Sequence, residues 1–488
     1  MTSRTRGRPI RTEVPMQHTL DQLIGHGPVH FIGIGGISMS CLARILLDRG
    51  IPVTGSDRSD SDAIEGLRTL GARVNVPHDA SCIGNQTLVV YTAAIASDNP
   101  ELLEAQRQGI ACMDRGHFLG QLALGYDRNF AVSGTHGKTT STGMLASVLL
   151  EAGTDPTIHI GGILPLIGGN TRIGGRSTFL MEACEYKNSY HGFYPTHALI
   201  LNIEADHLDF FRDLDDILDS FATYTRNIAP DGELVLNLDD AGCRSLAARI
   251  DRPYAAYRMA TADAGVLPGA CPPVALYQAE QVTYEQGRGR FDVLLGQTRL
   301  ATVTLSVPGP HNVSNALGCF ALAHRAGLPA ETIAYGLSHF TGTGRRFEAK
   351  GTVKGATLID DYAHHPTAVE LNLSTARALA RGRIVCVFQP HTYTRTLKLL
   401  PEFSQALAQA DLAIIVDIYA AREPDQGQIH ARDLVEGIRT CGGDARYAAS
   451  FEEAARMAAD GLAADDLVMT MGAGDVYRVG DHMRAFGA

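Results

Sequence analysis

The segment GTHGKTT, residues 134–140, has the residue types of a loop that binds phosphate groups. The usual form of this loop is G-x-x-x-x-G-K-[ST], in which backbone N–H groups surround a polyphosphate and the lysine reaches its outer phosphates. Gly137, Lys138 and Thr139 fit that form, but Val132 occupies the position of the first glycine. The segment is therefore a degraded nucleotide site, a chance cluster, or a different loop with the same chemistry.

The sequence around this loop favours a nucleotide site. An apolar strand pattern, NFAVSG, leads into it and a helical pattern, STGMLASVLLEAG, follows it, which is the context that phosphate loops occupy. The alternative is a glycine turn capped by threonine, but such a turn has no use for Lys138. The hydroxyl group of Thr139 or Thr140 is then a candidate ligand for Mg²⁺.

Acidic residues and a histidine follow two later strand patterns. MEACEY (181–186) contains Glu182 and a second glutamate, and NIEADHLD (202–209) contains three acidic residues and His207. Carboxylates and an imidazole at strand ends beside a phosphate loop are the groups that a metal-assisted transfer requires. The alternative is capping of helix N-termini, where Asp is common. Because Glu182 and His207 come directly after apolar strands, we predict that these two are metal ligands and that Asp209 is a cap.

A second glycine-rich segment, HFIGIGGISMS (30–40), also follows a strand pattern and precedes a helical pattern. The dinucleotide fingerprint is G-x-G-x-x-G, and Ser38 occupies its third glycine position, so the match is partial. Asp57, at the end of the next strand, is placed to contact a ribose hydroxyl group. The segment is consistent with NAD, with a uridine diphosphate at the helix N-terminus, or with a structural turn. Its glycines are Gly33, Gly35 and Gly36.

Further polar clusters lie in the second half of the chain. PGPHNVSNALG (308–318) places His311 and Asn315 at helical spacing, either as nucleotide contacts or as an ordinary polar helix start. Arg346 and Arg395 are the strongest candidates for holding anions and carboxylates, because a guanidinium group forms paired hydrogen bonds with them. Arg346 stands in GRRFE (344–348) and Arg395 in FQPHTYTRT (388–396). A third polar cluster, IDDYAHHP (359–366), lies between them.

The strands that must position these groups fall into three segments. Residues 17–126 alternate strand and helix patterns, residues 127–341 carry the phosphate loop and two strand patterns that predict an antiparallel flap, and residues 342–488 return to alternation. Alternating strands and helices predict parallel sheets covered by helices, with ligands beyond the carboxyl ends of the strands. We therefore predict an α/β protein of three domains, with a disordered tail over residues 1–16.

Composition and charge limit the possible partners. The net charge of −11 argues against a general nucleic-acid-binding protein. No apolar run approaches the ~20 residues of a membrane span, and the basic N-terminus lacks the apolar stretch of a secretory signal. The nine cysteines are scattered, odd in number and without a C-x-x-C pair. This pattern argues against a disulfide framework or a structural zinc site and favours a reducing, cytoplasmic location.

Together these segments resemble the Mur ligase family, and most specifically its alanine-adding branch. The resemblance extends from HFIGIGG to GAGDVY (472–477), nearly the whole chain. The family's phosphate loop is the shorter G-T-[HN]-G-K-[ST]-[ST], which matches residues 134–140 without a gap, so Val132 belongs to a different loop and not to a degraded one. HFIGIGG, YTAAI, DDYAHHP and FQPHTYTRT are the segments that resemble the alanine-adding branch.

The resemblance implies a Rossmann-like N-terminal domain that binds a UDP-sugar, a central P-loop-type ATPase domain, and a C-terminal Rossmann-like domain that binds the amino acid. It implies a ligase that uses ATP and Mg²⁺ to join L-alanine to the carboxylate of UDP-N-acetylmuramate through an acyl phosphate, releasing ADP and phosphate. That reaction is the first peptide step of peptidoglycan precursor synthesis. The resemblance further implies a cytoplasmic monomer or homodimer, without nucleic-acid partners or membrane insertion.

The resemblance also implies roles for individual residues. The expected catalytic residues are Lys138, His207 and Arg346, with Thr139 and Glu182 at one Mg²⁺ and His207 at a second. The expected ATP contacts are Gly134, Thr135, His136, Gly137, Lys138, Thr139, Thr140, His311, Asn315, Arg346 and Asp361. The expected UDP-sugar contacts are Gly33, Gly35, Gly36, Ser38, Asp57 and Thr92, and the residues expected to face the incoming alanine are Tyr362, His364 and Arg395.

Two positions depart from the family pattern. Many relatives have a carbamate-modified lysine about fifteen residues after the histidine that matches His207, whereas this chain has no lysine between Lys187 and Lys350. The ligands of the second metal are therefore left open. Thr392 stands where some homologues have arginine, which leaves Arg395 to hold the amino-acid carboxylate alone.

The sequence leaves three other functions open. Another Mur ligase or a folate-polyglutamate-type ligase would share GTHGKTT but not HFIGIGG or FQPHTYTRT. An NAD-dependent dehydrogenase would use residues 33–36 and Asp57, but it leaves GTHGKTT unexplained. A nucleotide-sugar sensor without catalytic activity would have no need for Lys138, Glu182 and His207.

Overall fold

The computed structural model describes residues 20, 24–25, 27–92, 95–96, 98–208, 210–259, 272–421 and 423–487. This part of the chain forms three β-sheets with packed helices, which confirms the predicted α/β fold of three domains. The predicted tail over residues 1–16 and the predicted cap at Asp209 lie outside the described residues. None of the described helices has both the length and the apolar character needed to cross a membrane.

The N-terminal domain is built on a five-stranded, fully parallel sheet. Its strands are β1 (Val29–Ile32), β2 (Val53–Ser56), β3 (Arg73–Asn75), β4 (Leu88–Tyr91) and β5 (Ala111–Asp114), and its helices are α1 (Ile37–Asp48), α2 (Asp62–Thr69), α3 (Pro100–Arg107) and α4 (Arg115–Ala123). The strand order is β3-β2-β1-β4-β5, so β1 is central. All four residues of β1 are buried, as expected for a parallel strand covered on both faces.

The central domain contains a ten-stranded sheet in the described residues. Its strands are β6 (Arg128–Ser133), β7 (Thr157–Leu164), β8 (Gly169–Arg172), β9 (Thr178–Ala183), β10 (His197–Ile200), β11 (Glu233–Asn237), β12 (Ala255–Met259), β13 (Ala275–Glu285), β14 (Arg288–Leu295) and β15 (Thr298–Pro308). Its helices are α5 (Lys138–Glu151), α6 (Leu214–Arg226), α7 (Ala241–Ala247), α8 (Pro310–Arg325) and α9 (Ala330–Ser338). The order is β15-β14-β13-β12-β11-β10-β6-β9-β7-β8, and β14 and β15 form the predicted antiparallel flap.

The C-terminal domain contains a six-stranded sheet, parallel except at one edge. Its strands are β16 (Glu348–Val353), β17 (Ala356–Asp361), β18 (Ile384–Phe388), β19 (Leu412–Ile415), β20 (Ala445–Tyr447) and β21 (Leu467–Met471). Its helices are α10 (Pro366–Leu379), α11 (Tyr393–Lys398), α12 (Leu400–Leu407), α13 (Ala431–Thr440), α14 (Phe451–Ala459) and α15 (Arg478–Gly487). The order is β16-β17-β21-β18-β19-β20, with β16 as the antiparallel edge strand.

Three neighbouring strands of the central sheet bring the polar clusters to one edge. β6 lies between β9 and β10 and runs parallel to both, so that Ser133 at its end is paired with Ala183 and Ile200. Because the carboxyl ends of parallel strands meet at the same edge, the phosphate loop after β6 adjoins the segments after β9 and β10. The sheet order therefore positions the candidate site.

Two helical glycines allow a matched test of how the first two domains pack. Gly120 lies in α4, and an added Cβ there would lie 1.9 Å from the carbonyl oxygen of Gly192 in the central domain. Gly66 lies in α2, with no atom within 4 Å of an added Cβ. We expect Gly120→Ala to lower the free energy of unfolding by about 1–3 kcal/mol through overpacking, and Gly66→Ala to raise it by about 0.5–1 kcal/mol through helix propensity. Denaturant unfolding measures both changes, and a stabilised Gly120→Ala variant would contradict the packing.

Candidate active site

The phosphate loop connects β6 to α5 and has two glycines in the left-handed φ range. Gly134 and Gly137 have φ angles of 137° and 81°, which side-chain-bearing residues rarely adopt. A Cβ at Gly137 would lie 3.0 Å from Oδ1 of Asn315. Asn315, which the resemblance implies as a nucleotide contact, therefore lies directly beside the loop. α5 begins at Lys138, and the N–H groups of its first turn are available to an anion.

Lys138 is held at the loop by carbonyl oxygens and by one carboxylate. Its Nζ donates to the carbonyl oxygens of Gly134 and Thr135, the latter at 3.1 Å, and lies 3.0 Å from Oε2 of Glu185. Burial lowers the pKa of Lys138, but the neighbouring groups, chiefly the carboxylate of Glu185, together outweigh burial, and the pKa is raised overall. The loop therefore contains a fixed positive charge at neutral pH.

Thr139, the next residue of the loop, contacts both Glu182 and Arg346. The hydroxyl group of Thr139 donates to Oε2 of Glu182 at 3.2 Å and accepts from Nη2 of Arg346 at 3.2 Å. Oε1 of Glu182 accepts the backbone N–H of Gly161 at 2.7 Å. A hydroxyl oxygen and a carboxylate oxygen are thus adjacent at the start of α5, and a guanidinium group from the C-terminal domain reaches them.

His207 lies after β10 in a left-handed backbone conformation, with φ of 53°. Its Nε2 is 3.8 Å from Oε1 of Glu185 and 3.9 Å from Oδ2 of Asp206, too far for hydrogen bonds. The residue fifteen positions later is Ala222, which is 8% exposed within α6. The structure therefore places no lysine there, and the carboxylates beside His207 come from Glu185 and Asp206.

Asp206 and Arg395 form an ion pair between the central and C-terminal domains. Oδ1 of Asp206 accepts from Nη2 of Arg395 at 2.7 Å and from Nε at 3.2 Å. Burial raises the pKa of Asp206, but the charges of His207 and Arg395 outweigh it and hold the pKa well below its usual range. The pair fixes the guanidinium group that the family resemblance implies for the amino-acid carboxylate.

Asp206→Asn is expected to lower the free energy of unfolding by about 3 kcal/mol at pH 7, because it leaves a buried guanidinium group without its charge partner. Since the folded-state pKa of Asp206 lies below the unfolded value of about 3.9, the stabilisation is present above that pH and is lost as pH falls through the folded-state pKa. Asp60→Asn, which removes an exposed pair with Arg68, is the control and should change little. Unfolding titrations at pH 7 and pH 3 measure both variants, and a pH-independent cost for Asp206→Asn would contradict the ion-pair assignment.

The remaining C-terminal candidates surround Arg346. Its guanidinium carbon lies 5.1 Å from the ring centroid of Tyr362. The two carboxylate oxygens of Asp361 accept backbone N–H groups of Phe347 and Ala363, each at 2.6 Å, and burial raises the pKa of this group. Nδ1 of His364 is 2.9 Å from the carbonyl oxygen of Tyr362. Asp361 therefore fixes the backbone directly after Arg346 and directly after Tyr362.

Two predicted nucleotide contacts lie in the first turns of α8, which begins at Pro310. His311 is half-buried, burial lowers its pKa to about 4, and its Nδ1 has no hydrogen-bond partner among the described residues. Asn315 donates from Nδ2 to Oδ1 of Asn312 at 3.3 Å. A neutral imidazole and an amide are thus available beside the phosphate loop.

A cavity of about 1050 Å³ lies between the central and C-terminal domains. Its size suits a nucleotide with a second small substrate. Among the predicted ATP, metal and amino-acid residues, its walls include Thr135, His136, Gly137, Lys138, Thr139, Thr140, Glu182, His207, His311, Asn315, Arg346, Asp361, Tyr362, His364 and Arg395. The structure therefore brings these groups together from segments that are far apart in the sequence.

The candidate UDP-sugar residues form a separate group in the N-terminal domain. The backbone N–H of Gly35 donates to Oδ2 of Asp57 at 2.8 Å, and Gly36 precedes α1. A Cβ at Gly33 would lie 3.3 Å from the methyl group of Thr92. Ser38 faces the central domain. None of these residues lines the cavity described above.

Two contacts of Ser38 were not predicted from the sequence. Its Oγ lies 2.7 Å from Nε2 of His159 in β7 and accepts from Nη1 of Arg115 at 2.9 Å. His159 is buried, and burial lowers its pKa to about 3. Nothing in the apolar pattern around His159 indicates this role. The contact of Glu185 with Lys138, by contrast, has a signal in the sequence. Glu185 stands in MEACEY, three residues after Glu182.

The three-domain fold, the phosphate loop and the interdomain cavity are features of an ATP-dependent ligase, and the chain matches three known family models. The matches are to the Mur ligase family, catalytic domain over residues 28–127, the Mur ligase middle domain over residues 132–323, and the Mur ligase, glutamate ligase domain over residues 345–474. The chain belongs to the Mur ligase family.

Individual members of the family are similar to this chain over most of its length. A protein of Clostridium novyi named UDP-N-acetylmuramate–L-alanine ligase is 44% identical over 453 residues, covering 93% of this chain and 96% of the relative. The protein of the same name from Lachnospira eligens is 45% identical over 457 residues, covering 93% and 97%. Among solved structures, UDP-N-acetylmuramate-alanine ligase MurC from Thermotoga maritima matches with a TM-score of 0.76 at 28% identity, covering 94% and 99%.

Proposed function

We propose that this chain is an ATP-dependent ligase that joins L-alanine to the carboxylate of UDP-N-acetylmuramate, the first peptide step of peptidoglycan precursor synthesis. The observation that carries this proposal is a single cavity in which the phosphate loop of the central domain faces Arg346 and Arg395 of the C-terminal domain. Relatives at 44% and 45% identity that bear the name of this ligase support it.

The proposed chemistry converts a poor leaving group into a good one. A carboxylate oxygen of the sugar attacks the γ-phosphorus of ATP, the bond to ADP breaks, and an acyl phosphate forms. The amino nitrogen of L-alanine then attacks the acyl carbon, phosphate leaves, and one proton is released. The first step brings two negatively charged groups together, so the site must supply fixed positive charge.

Lys138 and Arg346 are the proposed sources of that charge. Lys138 lies in the phosphate loop, and Arg346 reaches the loop from the other domain, 3.2 Å from the hydroxyl group of Thr139. An arriving polyphosphate would take over donors of Lys138 that contact loop carbonyls and Glu185. Because the two cations belong to different domains, we propose that domain closure assembles the site and excludes water from the acyl phosphate.

Mg²⁺ fits the oxygen pair formed by Thr139 and Glu182. Both groups are hard oxygen ligands, they lie 3.2 Å apart, and they adjoin the loop. We propose that they hold the ion, which would supply further charge neutralisation at the phosphates when bound. His207 is the proposed ligand of a second ion, with Glu185 and Asp206 as the neighbouring carboxylates in place of a modified lysine.

The other two substrates are assigned to groups on the C-terminal and N-terminal domains. We propose that Arg395 holds the carboxylate of L-alanine while Asp206 keeps the guanidinium group oriented, with Tyr362 and His364 beside it. The UDP portion of the sugar is assigned to the turn before α1, where helix N–H groups favour an anion. A cytoplasmic location is proposed because ATP and the nucleotide sugar are the substrates, and a monomer or homodimer is the predicted assembly.

The test is the substrate dependence of phosphate release. With ATP and Mg²⁺ present, release is expected only when UDP-N-acetylmuramate and L-alanine are both added. Equal release without L-alanine would refute the proposal. A titration with NAD tests the dehydrogenase alternative, and saturable NAD binding at the turn before α1 would favour that alternative.

A further inference from the structure

A third group of side chains that could hold a metal ion lies where the central and C-terminal domains meet, apart from the Thr139–Glu182 pair and from His207. Its members are His136, Glu204 and His365, and one ligand atom from each lies within 4.8 Å of the others. Nε2 of His136 is 3.3 Å from Oε2 of Glu204, and Nδ1 of His365 is 3.9 Å from the same oxygen. Three potential ligand atoms therefore converge on one small volume.

His365 indicates that this volume is built for a ligand. The residue is 7% exposed, yet neither ring nitrogen has a hydrogen-bond partner among the described residues. Buried polar side chains are normally hydrogen-bonded, and the ring of His365 instead lies 4.8 Å from the ring of His136. The two unpartnered ring nitrogens of this imidazole are therefore available to a metal ion.

The ligand set selects the class of ion. Two imidazoles and one carboxylate suit Zn²⁺ and neighbouring transition metals, whereas Mg²⁺ prefers oxygen ligands. In a tetrahedral Zn²⁺ site with bonds of about 2.0–2.1 Å, ligand atoms are roughly 3.3–3.4 Å apart. The separation between His136 and Glu204 already has this value, whereas Nδ1 of His365, 3.9 Å from Oε2 of Glu204, must move inward to complete the site.

We propose that His136, Glu204 and His365 form a binding site for Zn²⁺ or a related transition-metal ion that links the phosphate loop to the C-terminal domain. His136 belongs to the loop and Glu204 follows β10, whereas His365 precedes α10. An ion bound by all three would tie the two domains together and restrict the opening that admits substrates. Zn²⁺ is therefore expected to inhibit turnover even when Mg²⁺ is in excess. The site itself does not depend on the identity of the substrates.

The first experiment uses the wild-type enzyme without nucleotide or sugar. After removal of metals with a chelator, the protein is titrated with Zn²⁺, and with Co²⁺ as a spectroscopic substitute, in the presence of excess Mg²⁺. One equivalent is expected to bind, with X-ray absorption of the Zn²⁺-loaded protein showing two imidazole nitrogens. Absence of binding, or a bound ion with no imidazole ligand, would overturn the proposal.

Variants from both domains then locate the ion. His365→Asn and Glu204→Gln are each expected to weaken Zn²⁺ binding at least roughly tenfold, because changes outside the ligand shell alone cost 10–100-fold. His339→Asn, at an exposed histidine, is the matched control and should bind as the wild type does. Unchanged affinity in folded His365→Asn, or loss of binding only in Glu182→Gln, would overturn the proposal.

These measurements test metal binding independently of the proposed ligase reaction. If His365→Asn does not fold, Glu204→Gln and the wild-type absorption spectrum decide the question. None of the binding measurements uses ligase activity. A failure of the metal site and a failure of the proposed ligase reaction are therefore distinguishable.

Discussion

Lys138→Ala is expected to lower kcat by roughly 10²–10³-fold, the usual cost of removing one fixed group that stabilises developing charge. The ammonium group lies in the phosphate loop, and the raised pKa keeps it charged at neutral pH. Loss of this charge leaves the repulsion between the attacking carboxylate and the γ-phosphate less compensated. Steady-state phosphate release at saturating substrates measures the change.

Two controls separate catalysis from folding in this variant. Glu185 is 3% exposed and loses its cation, so the melting temperature must be recorded beside kcat. Lys350→Ala removes a lysine at the β16 edge strand whose side chain is 37% exposed, and it should leave kcat unchanged. Calorimetry with UDP-N-acetylmuramate should give wild-type affinity in Lys138→Ala, because the candidate sugar residues lie outside the cavity. Loss of sugar binding in a folded variant would mean that the loop has a structural role.

Arg346→Ala is expected to lower kcat by roughly 10²–10³-fold as well, with a smaller effect on KM for L-alanine. Its guanidinium group is the contact by which the C-terminal domain reaches Thr139, at 3.2 Å. Without it, the closed arrangement lacks one of its two proposed cations. Initial rates over a matrix of ATP and L-alanine concentrations separate the effect on kcat from the effect on KM.

Arg346→Lys tests what the guanidinium group adds beyond charge. We expect partial recovery of kcat, because lysine restores a positive charge without the paired donors. Arg107→Ala, at an arginine that is 72% exposed, is the control and should behave as the wild type. A change confined to KM for L-alanine in Arg346→Ala would move this residue from phosphate transfer to amino-acid binding.

The strands that position the site were predictable because β6, β9 and β10 are short and apolar and lead directly into polar segments. NFAVSG was predicted as the apolar strand before the phosphate loop, and β6 spans Arg128–Ser133. The ends of β6, β9 and β10 carry the polar residues, and parallel strands must bring such ends to one edge. The sequence therefore predicted the phosphate-loop side of the cavity from local patterns.

The contacts between domains were not predictable from those patterns. Asp206 and Arg395 are 189 positions apart and form an ion pair, and this contact depends on how two folded domains pack. The same holds for Ser38 and His159, which are separated by 121 positions. His365 stands in the visible segment DDYAHHP, but only the fold places its ring beside His136 and Glu204.

In the proposed reaction, ATP activates the carboxylate of the sugar. The direct measurement uses UDP-N-acetylmuramate labelled with ¹⁸O in that carboxylate, with ATP and L-alanine, and analyses the released phosphate by mass spectrometry. An attacking carboxylate oxygen stays on phosphorus when alanine displaces phosphate, so one labelled oxygen is expected in each phosphate. Formation of the amide product with unlabelled phosphate would contradict an acyl phosphate intermediate.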